Sequence, residues 1–213
     1  MHTIAIIPAR GGSKGIPRKN IKEFYGQPLI AWSIEAALEA EYVDEVYLST
    51  EDEEIALIGE KYGAKISKRP GNLSTDTATT KAVLIDFVNR YECDCLIVLQ
   101  PTSPIRINGL IDKAIMRFKE TGVDTLATGF ISFQYEWTSV DNTPRQQLKG
   151  WFYDDGNIYI HKPYYLRDGK YWGDKRERMV IDEYYNYEID TECDWIILEA
   201  LMRYVKDCGG NNL

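Results

Sequence analysis

"TIAIIPARGGSKGIPRKN", Thr3 to Asn20, sets how the rest of the chain is read. It opens with an apolar run, Ile4 to Ile7, of the kind buried on both faces of a parallel sheet. The run then breaks into Gly11, Gly12 and Gly15, with Arg10, Lys14, Arg18 and Lys19 threaded among them. A glycine-rich loop directly after a first strand lies where open α/β sheets take their ligands, beyond the carboxyl ends of the strands. Glycines let backbone N–H groups approach an anion, and positive φ costs them no Cβ strain. Arg10, Lys14 and Lys19 add charge, and an arginine can fork two oxygens. Neither G-x-x-x-x-G-K-[ST] nor G-x-G-x-x-G is present, because Lys14 falls between the glycines. Taken alone, the stretch fits both a phosphate-holding loop and a solvated basic turn.

Outward from it, strand and helix alternate. Pro28 stands in a first helical turn, and Ile30, Ile34, Ala37 and Leu38 follow at helical spacing. Val46–Leu48 predicts a second strand. Thr50-Glu51-Asp52-Glu53 predicts a capping box, opening a helix with Ile55, Ile58 and Tyr62 inward and Gly63 as its stop. Leu84, Phe87, Val88 and Tyr91 mark the next helix, Cys95–Leu99 a strongly apolar strand, and Ile111, Ala114, Ile115 and Phe118 a helix stopped by Gly122. Thr125–Phe130 is a further strand. This rhythm predicts a doubly wound α/β fold. Residues 131–187 hold most of the tyrosines and tryptophans and show short strands such as Ile158–Ile160. They read as an insertion within one domain spanning 1–213, with an aromatic surface suited to a ligand wall or a dimer contact. A last helix starts near Thr191 and turns Ile197, Leu201 and Tyr204 inward.

The chain has 213 residues and a net charge of -8, which argues against nucleic acid or an anionic membrane as a partner. A cationic loop in such a chain has a local purpose. Cys93, Cys95, Cys193 and Cys208 form no C-x-x-C pair and no disulfide framework. No segment is apolar over a membrane-spanning length, and the first strand begins too early for a signal peptide. A cytoplasmic location is expected.

Three more groups fall at the same sheet edge. Gln100-Pro101-Thr102-Ser103-Pro104-Ile105-Arg106 leaves the strand at 95–99. Its prolines either present Gln100 and Arg106 as rigid donors or simply stiffen a connection to a helix starting near Asn108. Arg69-Pro70, Ser74, Asp76 and Thr80 follow the third strand, with Asp76 suited to a helix N-cap. Glu188-Ile189-Asp190 offers two carboxylates which, on a strand, would share one face. They suit Mg²⁺ bridging a triphosphate, or a solvated acidic turn with Asp190 or Thr191 capping the last helix.

Together these stretches resemble the acylneuraminate cytidylyltransferases, the CMP-sialic acid synthetases. The resemblance rests on "ARGGSKGIPRKNI" (9–21), "STEDEEI" (49–55), "RPGNLSTDTATT" (69–80), "LQPTSPIR" (99–106), "PRQQ" (144–147), "DGNIYI" (155–160) and "EIDTECDW" (188–195). It implies a Rossmann-like three-layer fold with a mostly parallel sheet, and a homodimer whose partner covers the sugar site. It implies a nucleotidyltransferase joining CTP to a nine-carbon 2-keto sugar acid, with release of pyrophosphate. In that resemblance Arg10, Lys19 and Asp190 are catalytic. Arg10, Gly12, Ser13, Lys14, Asn20, Arg69 and Thr80 hold the nucleotide. Gln100, Thr102, Ser103, Arg145, Gln146, Gln147 and Tyr159 line the sugar pocket. Glu188 and Asp190 hold Mg²⁺, with Mn²⁺ as an alternative.

The chain departs from the family at two positions. Glu188 stands where the family has aspartate, moving a carboxylate by one methylene, and Asp155 stands where asparagine is common, adding negative charge near an anionic substrate. These leave legionaminic or pseudaminic acid, and GTP, as alternatives for the same chemistry. Sugar-1-phosphate nucleotidyltransfer, glycosyl transfer, and nucleotide binding without turnover are the rival classes.

Overall fold

The apolar run of the opening stretch forms β1, Thr3–Pro8, and all but Pro8 of it is buried. The structure is a computed structural model and describes residues 1–107, 109–136, 139 and 141–207. A small hairpin, β2 (Glu23–Phe24) and β3 (Gln27–Pro28), leads into α1 (Leu29–Leu38). Then come β4 (Glu45–Thr50), α2 (Glu53–Lys61), β5 (Lys65–Lys68), α3 (Thr80–Arg90), β6 (Cys95–Leu99) and α4 (Leu110–Thr121). The last third supplies β7 (Thr125–Ser132), β8 (Trp151–His161), α5 (Pro163–Arg167), β9 (Arg176–Val180) and α6 (Glu192–Asp207).

Seven strands make one sheet in the order β5-β4-β1-β6-β8-β7-β9. Every pairing along it is parallel except those of β8, which runs against both β6 and β7. The period-2 alternation assigns the two faces. Ala5, Ile7, Ile97, Leu99, Ile158 and Ile160 face a core shared with α1, α2, α4 and α6. Ile4, Ile6, Leu96, Val98 and Tyr159 face a second core under α3 and α5. The result is the expected three-layer α/β sandwich with a mostly parallel sheet. Among the described residues no helix is long and apolar enough to cross a membrane.

Several local expectations change. Pro28 closes β3 and precedes the helix instead of opening it. Asp52, not Thr50, caps α2: its carboxylate accepts from the Ile55 N–H at 3.0 Å, while the Thr50 hydroxyl accepts from Asp52 N–H. Gly122 does stop α4, in the left-handed conformation at φ 63°. That helix begins at Leu110 behind Gly109, and the expected start at Asn108 lies outside the described residues. Ile158–Ile160 is only the end of an eleven-residue strand, β8. In α6 the inward face is Trp195, Leu198, Met202 and Val205, whereas Ile197 and Tyr204 are about half exposed. Trp195 sets that rotation, packing edge-on against Phe24 at 5.4 Å with the Lys22 ammonium over its ring.

Candidate active site

The loops after β1, β4, β5 and β6 end at one edge of the sheet, and residues 186–190 cross it. The Ile189 N–H ties that crossing segment to the β6 loop, donating to the Thr102 carbonyl at 2.9 Å.

The glycines of the first loop do different work. A Cβ at Gly11 would meet Asp52 Oδ2 at 2.5 Å, and one at Gly15 would meet the Asp190 carbonyl at 2.2 Å. Both are glycines because other backbone or side chain passes too close. Gly12 is exposed and faces open space, beside half-buried Ser13. None of the three uses positive φ; in residues 9–20 only Arg18 does, at 54°. Arg18 spends its guanidinium on Asp52 and Glu54, locking the loop to the start of α2 and holding the Asp52 carboxyl below its usual range. Asn20 is buried and donates to the Arg10 carbonyl at 2.9 Å, fixing the loop from inside.

Arg10 and Lys14 share one anion. Arg10 Nη1 donates to Asp76 Oδ1 at 2.7 Å and to the Thr75 carbonyl at 3.2 Å, and Lys14 Nζ lies 3.1 Å from Asp76 Oδ2. The Lys14 hydrogen bond, with Arg10's behind it, holds the Asp76 carboxyl below its usual range. Asp76 is therefore not the N-cap of α3. Thr79 is, accepting from the Ala82 N–H at 3.2 Å, and Thr80 follows half-buried in the first turn. Arg69 is buried, and among the described residues its guanidinium hydrogen-bonds to Ser49 alone, through Nε to Oγ at 3.3 Å and Nη2 to the carbonyl at 2.8 Å. Burial pulls its pKa down against the opposing pull of Glu51. A buried cation with no carboxylate at hydrogen-bonding distance among the described residues suits an anionic ligand.

Lys19 joins the cationic loop to the acidic segment. Its side chain is 12% exposed, and Nζ donates to the Ile189 carbonyl at 2.6 Å and to Asp190 Oδ1 at 3.2 Å. Residues 186–190 form no strand, so the two carboxylates are not paired by a pleat. Ile189 is buried between them, Glu188 is partly buried and Asp190 is open to solvent. Burial, then the charges of Asp190, Asp155 and Asp154, push the Glu188 carboxyl up to about 7. Thr191 and Asp194 form the capping box of α6, with Asp194 Oδ2 accepting from Thr191 N–H at 2.7 Å and Asp194 N–H donating to Thr191 Oγ at 3.3 Å. Asp190 is thereby released from capping.

Across from Glu188 stands a bulge of β8. Register with β7 is lost between Ala127↔Tyr159 and Gly129↔Asp154, and Asp155 to Ile158 bow out. At its tip Gly156 adopts φ 66°, and a Cβ there would lie 2.2 Å from Glu188 Oε1 and 3.6 Å from Gln100 Nε2. Asp155 is fully buried; its Oδ1 accepts from the Thr128 hydroxyl and the Asn157 N–H, each at 2.9 Å, and its Oδ2 has no partner among the described residues. Burial pushes its carboxyl up to about 6.

The β6 loop divides its residues unexpectedly. Gln100 is partly exposed, and the buried Thr102 hydroxyl has no partner among the described residues. Ser103 reaches the Asp155 carbonyl at 3.4 Å. Arg106 is not a donor presented to a ligand: it is buried, and its N–H groups go to protein oxygens. Tyr159 lies in the α3/α5 core and donates its hydroxyl to Asp154 at 3.0 Å. Arg145, Gln146 and Gln147 form an exposed turn beside a cleft of about 650 Å³, with the Arg145 guanidinium 5.8 Å from the centre of the Phe133 ring. No contact among the described residues brings them to Gln100 or Glu188 within one chain. Sequence reasoning missed Asn157 and Thr128, because an Asp-Gly-Asn run signals a solvated turn and not a buried bulge.

Fold and edge together define an α/β protein in which a cationic loop meets an acidic segment beyond the carboxyl ends of a mostly parallel sheet. A family model described as Cytidylyltransferase matches residues 4–160, and the chain belongs to that family. It is 30% identical to CMP-N,N'-diacetyllegionaminic acid synthase of Legionella pneumophila subsp. pneumophila, over 95% of this chain and 97% of that protein. It is also 30% identical to N-acylneuraminate cytidylyltransferase A of Danio rerio, over 93% of this chain but only 50% of that protein, so it spans about half the length of that relative. A solved structure of CMP:2-keto-3-deoxy-manno-octonic acid synthetase complexed with CTP shares the fold, with a TM-score of 0.77 at 16% identity over 96% of this chain and 99% of that one.

Proposed function

We propose that this chain transfers CMP from CTP to the anomeric hydroxyl of a sialic-type nonulosonic acid and releases pyrophosphate. The observation that carries this is the Arg10–Asp76–Lys14 bridge, formed by the same loop that leads into Lys19. An exposed lysine and a partly exposed arginine already share one anion, in a loop with open backbone at Gly12. A triphosphate presents more charge than one carboxylate and is the stronger partner for the same groups. Buried Arg69 adds a fourth positive charge, and Thr80 stands at the start of α3, where an N-terminal turn favours anions.

In this account the sugar hydroxyl oxygen forms the new bond to the α-phosphorus. The bond from α-phosphorus to the bridging oxygen breaks, pyrophosphate leaves with that electron pair, and the hydroxyl proton is lost to water. The protein's part is positioning and charge neutralisation. Arg10, Lys14 and Lys19 stabilise charge growing on the departing pyrophosphate. Gln100, Thr102 and Ser103 stand by the bulge that faces Glu188, on the side where a sugar acid would sit.

The donor set fits a hard cation. Among the described residues no three ligating side chains form a protein cage. One or two carboxylates completed by phosphate oxygens and water is the usual Mg²⁺ arrangement. Glu188 and Asp190 would hold Mg²⁺, or Mn²⁺, and the ion would neutralise phosphate charge. The exposed Arg145–Gln147 turn, with exposed Tyr135, Trp151 and Tyr153 nearby in sequence, supports a homodimer in which that turn completes the partner's sugar pocket.

Pyrophosphate release tests the reading, with four nucleoside triphosphates set against sialic, legionaminic and pseudaminic acids. Release with CTP and at least one acid is expected. Release with another triphosphate alone would replace the base, and tight CTP binding without release for any acid would leave a binding protein.

A further inference from the structure

Arg106 is buried, and its guanidinium is bound to oxygens of three chain segments. Nη2 donates to the carbonyls of Gln100 and Asn157, each at 2.8 Å, and Nη1 donates to the Ser33 hydroxyl at 2.9 Å. No carboxylate lies at hydrogen-bonding distance among the described residues; the compensating charge is that of buried Asp155. Asn157 is also fully buried, and its Nδ2 donates to the carbonyls of Ile105 at 3.2 Å and Tyr185 at 2.9 Å. Four segments are thus held by two side chains: α1, the β6 loop, the β8 bulge, and the chain running into Glu188.

A buried cation costs desolvation, and here hydrogen bonds to the main-chain carbonyls of Gln100 and Asn157 and to the Ser33 hydroxyl offset that cost. What the pair supplies is geometry. The β6 loop carries Gln100, and the segment after Tyr185 carries Glu188. Gly156, between them, comes close to both side chains.

We propose that Arg106 and Asn157 are positioning residues that fix the spacing between Gln100 and Glu188 across the Gly156 bulge, and with it the width of the sugar-acid pocket. They touch no reacting atom and act through the backbone of the walls. On the nucleotide side Arg10, Lys14 and Arg69, which follow β1 and β5, make no hydrogen bond to either residue among the described residues.

The test uses Arg106→Lys, which keeps the charge but loses the planar fork, and Asn157→Ala as a second variant. Hydrogen exchange is read at the amides of Ile189, bonded to Thr102, and Ser103, bonded to Gln100. Both are expected to exchange at least about tenfold faster in each variant, the equivalent of about 1.4 kcal/mol. Amides between β1 and β4 are expected to keep their wild-type rates. In turnover, kcat should fall and KM for the sugar acid rise while KM for CTP stays put. Unchanged exchange at Ile189, acceleration spread evenly over the sheet, or equal shifts in both KM values would overturn the proposal. The kinetic arm rests on the function proposed above. The exchange arm does not, and it decides alone if the wild-type chain turns over no acid.

Discussion

The two halves of the sheet edge use arginine in opposite ways. On the β1 side Arg10 is about one third exposed and paired to Asp76, a half-exposed carboxylate. On the β6 side Arg106 is buried and bound to main-chain carbonyls. Exposed ion pairs contribute little to stability and exchange partners readily, whereas a buried guanidinium bound to carbonyls cannot leave without stranding them. The first arrangement suits a cation that takes a ligand. The second suits one that builds the pocket.

The contrast breaks most easily in stability. Arg106→Met should cost about 3 kcal/mol or more by leaving buried carbonyls unpaired. Lys14→Ala should stay within about 0.5 kcal/mol of wild type. Urea unfolding compares them, and similar losses for both would erase the distinction.

Activity should rank the other way for the cations facing the site. Lys19→Ala is expected to lose at least about a hundredfold in kcat/KM, and a loss under about threefold would remove Lys19 from the catalytic set.

Glu188 gives a pH signature. Its folded pKa, about 7, lies above the ordinary 4.5, so the native state binds the extra proton and stability falls as pH rises from 4.5 towards 7. In metal-free buffer Glu188→Gln should therefore be more stable than wild type at pH 8, by about 1–2 kcal/mol, with the gain shrinking at pH 5.5. A gain independent of pH would mean the carboxyl is not held protonated by its surroundings.

The smallest effect is expected at Asp76. Asp76→Asn removes the anion that a triphosphate must displace, and CTP affinity should rise by about twofold to tenfold, as two exposed ion pairs allow. Weaker CTP binding would instead make Asp76 a ligand contact.

How much was legible in the sequence follows the same divide. Ile4–Ile7, the glycine-cation loop and the Gly122 stop are local signals, and each lies where its spacing indicated. The β8 side is built by partners distant in sequence. Asp154-Asp155-Gly156-Asn157 has turn composition, yet it lies inside a strand, where Thr128 donates to Asp155 Oδ1, Arg106 donates to the Asn157 carbonyl, and Asn157 Nδ2 donates to the carbonyls of Ile105 and Tyr185. Ile197 and Tyr204 looked inward on helical spacing, but the Phe24–Trp195 contact rotates α6 away from them. Asp76 had the composition of a cap, and two cations from a loop more than sixty residues earlier claimed it instead.

The measurement closest to the central claim is a crystal structure of the chain with CTP. The account predicts the β- and γ-phosphates against Arg10, Lys14 and Lys19, with the Asp76 carboxylate displaced from Arg10. A triphosphate bound away from Gly12, with Arg10 and Lys14 still bridged by Asp76, would contradict it.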